Sequence, residues 1–249
     1  MGTSTRGIWP ALSLLALVAI WVGAAAVADA EKLPGPVDVW RALLAQVETS
    51  GYFFHLGITL ARVAAAFLIA MAIGSAIGIA LGVSDVANRV FSGWLLLFLN
   101  LPALVTIILC YVWFGLNEAA AVTAVAINKI PNVAVTLREG ARALSKDLAE
   151  MAAIYRFDFS TRLRHVILPQ LAPFFAVAAR NGLALVWKIV LVVELLGRSN
   201  GVGYQLYLYF QQWDVATILA YALGFIVIVQ AIELAILARW ERYANRWRR

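Results

Sequence analysis

Ala149-Glu150-Met151-Ala152-Ala153, running on through Arg156-Phe157-Asp158-Phe159 to His165-Val166-Ile167-Leu168-Pro169, is a polar, charged stretch between two apolar blocks of membrane length. Leu148, Met151, Ala152 and Tyr155 fall at i, i+3, i+4 and i+7, one face of a helix. Ser145 is placed to cap its start, with Asp147 in the first turn. A second short helix is expected from Ser160, with Leu163, Val166 and Ile167 as its apolar stripe and Arg162, Arg164 and His165 elsewhere. Pro169 is expected to end it, because proline disfavours helix at the residue before it. Two short amphipathic helices of this kind either lie on a membrane surface or seat in a partner, and the residues alone fit both.

The flanks of the stretch decide the fold class. The 249 residues are 63% hydrophobic and only 14% charged, too little charge to cover a soluble domain of this size. The apolar residues gather in six blocks near twenty residues, the length that crosses a bilayer as helix: roughly 8–28, 57–83, 91–114, 118–137, 171–196 and 215–238. The chain is therefore expected to be an all-α integral membrane protein with six transmembrane helices and one domain, 1–249. Asn100-Leu101-Pro102 and Asn128-Lys129-Ile130-Pro131-Asn132 interrupt the third and fourth blocks. Arg6, the first apolar run and Ala28-Asp29-Ala30 have the outline of a cleaved export signal. That run is longer than a usual signal core, so the first helix is expected to be retained.

Six spans with the amino terminus inside place thirteen of the twenty Lys and Arg residues on the cytoplasmic side. Three (Lys32, Arg41, Arg198) fall outside, and four (Arg62, Lys129, Arg180, Lys188) fall within or at the ends of spans. This asymmetry predicts that both termini are cytoplasmic. It also accounts for the net charge of +6 without nucleic acid: the basic residues orient the chain and meet lipid headgroups. The tail from Arg239 to Arg249 mixes aromatics with Arg, as an interfacial anchor does. The single cysteine, Cys110, excludes an intrachain disulfide, and no metal-ligand spacing occurs. No His/Asp/Glu cluster, and no Ser or Cys beside a base, suggests a membrane-embedded enzyme.

The opening stretch resembles the cytoplasmic coupling loop of ABC importer permeases. Glu150, Ala152 and Ala153 match its first part, Arg156 stands where that loop usually has Gly, and Ile167, Leu168 and Pro169 match its end. The likeness extends from about Thr59 onward: Leu101-Pro102, Trp113-Phe114-Gly115, Glu194-Leu195-Leu196-Gly197 and Gly201-Val202-Gly203-Tyr204 occur in order. Together these look like the permeases of the nitrate, sulfonate and taurine importer group. The resemblance implies a type I importer permease fold, with a core at 58–240 and a coupling loop at 139–169, in a bacterial inner membrane. It implies a cytoplasmic ABC ATPase dimer that holds ATP and Mg, a second permease copy, and a periplasmic or lipid-anchored substrate-binding protein. Contact with the ATPase would fall to Glu150, Ala152, Ala153, Tyr155, Arg156, Phe157 and Asp158. No cofactor is expected in this chain: the dipeptide Gly-Lys is absent, and with it the phosphate-cradling loop of an ATPase. Where Gly would allow a positive φ between the helices, Arg156 does so less readily. Either the turn shifts toward Asp158, or Arg156 meets an acidic partner.

Ala66, Ala70, Gly74, Gly78 and Gly82 put a small residue at every fourth position of the second span, a ridge for close helix approach within the chain or to a second copy. Ionisable groups at membrane depth each need a reason. Arg62 is expected to snorkel to the outer interface. Asn100, Asn128, Lys129, Asn132, Arg180, Asn181, Lys188 and Glu194 are candidates for a translocation pathway; the competing reading has them pair across helices. Three cations among them favour an anion as the solute. The outer segments 29–54 and 198–213, with Trp40, Tyr52, Tyr204 and Trp213, are candidates for contact with the binding protein. The alternative, a transporter driven by an ion gradient, would usually show an internal repeat and a midplane coupling site, and neither is found.

Overall fold

A computed structural model of the chain describes residues 8–29, 31–48 and 51–237. Arg6, Ala30 and the anchor-like tail lie outside these residues. Eleven α-helices follow one another among the described residues: α1 (Ile8–Val27), α2 (Pro36–Glu48), α3 (Tyr52–Val83), α4 (Asp85–Leu99), α5 (Ala103–Phe114), α6 (Glu118–Arg142), α7 (Lys146–Ile154), α8 (Phe159–Arg162), α9 (Leu168–Gly197), α10 (Val202–Gln211) and α11 (Val215–Ile232). π-helical turns at Leu163–Ile167 and Glu233–Leu237 continue α8 into α9 and extend α11. Four stretches are long and apolar enough to cross a membrane: Tyr52–Val83, Glu118–Arg142, Phe159–Gly197 and Val215–Ala235.

The expected third span is not one helix. α4 and α5 meet at 94°. Pro102 has no N–H to continue α4, and it starts α5 in an extended conformation, φ −61° and ψ 130°. The Asn100 side chain turns back onto the Leu96 carbonyl (2.7 Å) and closes the helix before it. α4 also begins earlier than expected, because Ser84 caps it by accepting from the Ala87 amide (3.2 Å). Asn88 lies beside Arg138 near the end of α6, whereas Leu116, two residues past α5, accepts from Arg198 beyond the end of α9. The bent pair therefore still carries the chain from one end of the bundle to the other.

Pro131 does not break α6. Asn128, Asn132 and Thr136 each hydrogen-bond the carbonyl four residues before them, at 2.9, 3.3 and 3.0 Å, which keeps the side chains within the helix envelope around the proline. The helix runs on to Arg142, taking in the start of the segment assigned to the loop.

α3 and α6 form the central pair. The small-residue ridge faces α6 of the same chain. A Cβ on Gly74 would lie 2.7 Å from Val133 Cβ, one on Gly78 2.9 Å from Leu137 Cβ, and one on Gly82 2.7 Å from the Arg138 carbonyl. Ala66 and Ala70 are fully buried on the same line. No larger side chain fits between these backbones. α9 packs on the same pair: a Cβ on Gly140 would meet Phe174 at 2.6 Å, and one on Gly182 would meet Lys129 Cε at 2.8 Å. α2 and α10 are short helices joined through Gln46, whose side-chain oxygen accepts from Tyr209 and from Tyr221 of α11 (3.1 and 3.3 Å).

Candidate functional site: a projecting turn and an ionic cluster at opposite ends

The loop between α6 and α9 begins as its sequence suggests. Ser145 caps α7 by accepting from the Leu148 amide (3.3 Å), and Asp147 lies in the first turn. The Ser145 amide donates to Gln170 (2.9 Å), and Gln170 in turn donates to the Val166 carbonyl (2.8 Å). These bonds tie the start of α7 to the base of α9. Ala152 is buried, so it supports the loop from beneath, while Glu150 and Ala153 face outward.

The turn sits at Arg156 itself, not at Asp158. Arg156 adopts φ 52°, the left-handed conformation. The Arg156 amide donates to Ala153 and the Phe157 amide to Ala152, at 3.0 and 2.9 Å, the paired bonds of a Schellman helix end. Asp158 instead caps α8, accepting from the Ser160 and Thr161 amides (3.0 and 3.2 Å). Its carboxyl is held below the ordinary value of 3.8, first by the Thr161 side chain and then by the Thr161 amide. Phe157, a candidate for contact with the ATPase, is half-buried, with its ring 6.3 Å from that of Tyr155. The projecting apolar groups are Ile154, Tyr155 (71% exposed) and Phe159 (77% exposed).

Pro169 does not end the second helix. It falls just after the π turn, where that turn passes into α9. The preceding Leu168 amide bonds back to Leu163 across the π turn. Helix therefore runs without a break from Phe159 to Gly197, 39 residues or about 58 Å.

At the far end of α9 lies an ionic cluster. Arg62 is 4% exposed, so it does not snorkel. Its Nε and Nη2 donate to Glu118 (2.8 and 2.6 Å), and its Nη1 donates to Glu194 (2.7 Å) and to the Asn200 carbonyl (2.9 Å). Glu194 is fully buried and also accepts from the Thr59 hydroxyl (2.9 Å) and the Gly203 amide (2.8 Å). These partners make Glu194 part of a clamp between helices. Arg198 reaches the same Glu118 oxygen from the other side. Gly201, at φ 107°, lies so close to the Glu194 carboxylate that a Cβ there would overlap it. Its amide donates to His55 Nδ1 (3.0 Å), and the Gln205 side-chain amide lies 2.7 Å from His55 Nε2. Thr59, Glu118, Asn200, His55 and Gln205 were not singled out in the sequence. The signal available was the charged start of α6 and the two glycines after α9.

The other pathway candidates do not converge. Asn100 is exposed at the bend, and Asn128 and Asn132 are half-buried and bonded within α6. Lys129 is 2% exposed, enclosed by Gly182 of α9 and Phe67 of α3. Arg180 pairs with Glu233 (3.6 Å). Asn181 and Lys188 are exposed on α9. Of the outer aromatics, Trp40 and Trp213 are exposed and Tyr204 half-exposed, but Tyr52 is buried against Tyr221, which removes it as a contact residue.

A model of the family described as the binding-protein-dependent transport system inner membrane component matches residues 70–240. A permease protein of Escherichia coli named for aliphatic sulfonates transport is 32% identical over 190 residues, 76% of this chain and 72% of its own length. A bicarbonate transport system permease of Synechococcus elongatus is 25% identical over 251 residues, 96% of this chain and 88% of its own. Among solved structures, the MetNI methionine ABC transporter in an inward-facing conformation superposes with a TM-score of 0.66 at 19% identity, covering 76% of this chain and 93% of that one. This last likeness concerns the fold.

Proposed function

Because the chain belongs to the family of binding-protein-dependent transport system inner membrane components, we propose that it is the permease subunit of an ATP-driven importer in a bacterial inner membrane. Two copies form the path, and both termini are cytoplasmic. The bent pair α4–α5 serves as one crossing and α1 as another, giving six. A cytoplasmic ATPase dimer binds ATP and Mg and seats the turn at Arg156, while an external binding protein delivers the solute. The solute is a small anion, as the names of the sulfonate and bicarbonate relatives suggest.

The observation that carries this reading is the turn itself. Ile154, Tyr155 and Phe159 project at the end of the bundle opposite the ionic cluster, beside the outward-facing Glu150 and Arg156. Apolar anchors with charged neighbours suit insertion into a groove on a partner. The turn is bonded to the base of α9, and α9 reaches the ionic cluster without a break. A pull on the turn thus moves one stiff helix whose other end is locked to α3 and α6. The chain supplies no phosphate loop, so the partner supplies the energy.

Crosslinking tests this directly. Phe159→Cys should crosslink to a co-purified ATPase, and the purified chain alone should hydrolyse no ATP. Turnover by the isolated chain would overturn the assignment.

A further inference from the structure

Lys188 is nine residues before the end of α9, about 14 Å along the helix and close to the middle of a hydrocarbon core about 30 Å thick. The Arg62–Glu194 pair marks the polar end of the bundle, and Lys188 sits six residues, about 9 Å, deeper than Glu194. Its side chain is exposed on the single chain, and no hydrogen bond or ion pair reaches it from the described residues. Two other cations of the bundle are placed differently: Lys129 is buried against Gly182, and Arg180 pairs with Glu233. Lys188 shares an exposed stripe with Asn181 and Ala184, at i, i+3 and i+7. Val177, Leu185 and Val192 are exposed beside them, so this face is mixed, whereas the exposed faces of α3 (Leu68, Ile69, Ile73, Ile77) and α5 (Val105, Ile108) carry apolar side chains alone.

An ammonium at that depth is unfavourable against lipid, and such groups face a bundle interior or a water-filled cavity. The apolar faces of α3 and α5 suit lipid; the Asn181–Ala184–Lys188 face does not. We propose that this face of α9 lines the translocation path and that Lys188 is its anion-selecting residue. In an assembly of two copies, an ammonium from each flanks the path, as cationic side chains do in anion-selective pores. The ligand class is a small oxyanion, a sulfonate or a carboxylate-like group that accepts from an ammonium. The inference rests on the permease reading above and separates Lys188 from Lys129 and Arg180 as the group that meets the solute.

Cysteine accessibility tests it without knowing the substrate. The background carries Cys110→Ala, since Cys110 is the only native thiol. Ala184→Cys and Lys188→Cys are labelled in membranes holding the assembled complex, nucleotide-free and arrested with ATP and vanadate. The probes are the anionic methanethiosulfonate ethylsulfonate and the cationic methanethiosulfonate ethyltrimethylammonium, with Leu68→Cys as the lipid-face control. Both α9 positions should react in at least one state, and Leu68→Cys in neither. Ala184→Cys should favour the anionic reagent, and adding Lys188→Gln should cut that preference at least about threefold, because i and i+4 side chains are neighbours on a helix. Lys188→Arg should retain it. Silence of both α9 positions in both states, or a preference indifferent to Lys188→Gln, would overturn the proposal. Failure of an ATPase to co-purify would instead overturn the permease reading, and labelling of the chain in membranes would still report on the α9 face.

Discussion

At the scale of single residues, Arg156 has the most to say. A left-handed conformation is unfavourable by roughly 1–2 kcal/mol for a side chain other than Gly. Arg156→Gly should therefore slow hydrogen exchange at the Phe157 amide, which bonds Ala152 across the turn. If the arginine serves an acidic site on the ATPase, the same change should weaken transport-coupled ATP hydrolysis. Stronger coupling in the variant would mean that Arg156 has no partner. Asp158 makes a second, pH-dependent contribution. Its lowered folded-state value means that the cap stabilises α8 above the ordinary carboxylate value of 3.8 and is lost as pH falls through the folded one. Exchange at the Ser160 and Thr161 amides should rise over that acidic window and not near neutrality. The turn's chemistry was legible in the sequence through Ser145, Asp147 and the Glu150-to-Pro169 spacing. Its backbone geometry was not, because a propensity argument weighs the isolated residue against φ > 0, whereas two backbone hydrogen bonds hold Arg156 there.

At the scale of elements, close packing between α3 and α6 should tolerate no added volume. Gly78→Leu places a branched side chain against the Ala134 carbonyl and Leu137. The helices must part, at about 1–3 kcal/mol or more for an overpacked core. Thermal unfolding of the detergent-solubilised protein should shift down, and complex yield should fall; an unchanged profile would show the ridge to be idle. The ridge was readable because a four-residue repeat of small side chains has one physical use in a membrane helix. Its partner was not readable, since the pattern fits an interior face and a dimer face equally. α9 shows the opposite limit. Pro169 reads as a stop under a rule that describes the residue before proline. The ring itself is compatible with helical φ, and the π turn before it absorbs the change in bonding pattern.

At the scale of the whole molecule, the ionic cluster joins α3, α6, α9 and the start of α10 at one end of the bundle. Arg62→Met would leave the fully buried Glu194 carboxylate without its counter-charge. Breaking a buried pair in this way is typically unfavourable by about 3–5 kcal/mol. A marked fall in unfolding temperature is expected, with partial recovery in Arg62→Met/Glu194→Gln, which removes that orphaned charge. Equal melting of the single variant and the unmodified chain would show that the cluster bears no stability. The cluster escaped the sequence reading because its members are far apart, with Arg62 and Glu194 132 positions from each other. Only the parallel course of α3 and α6, with α9 antiparallel to both, brings them together.

The bend at Asn100–Pro102 has a consequence for how the chain is made. α4 has 15 residues and α5 has 12, about 22 and 18 Å of helix, so neither half reaches across the hydrocarbon core. During synthesis the segment cannot partition into lipid as an independent unit, as a straight apolar helix does. It has to wait for α6, whose contacts hold the two halves in place. A nascent chain ended at Asn117 should leave α4–α5 accessible to glycosylation or protease on the wrong side. A chain extended through Arg142 should not. The order of assembly is thus written into a three-residue interruption.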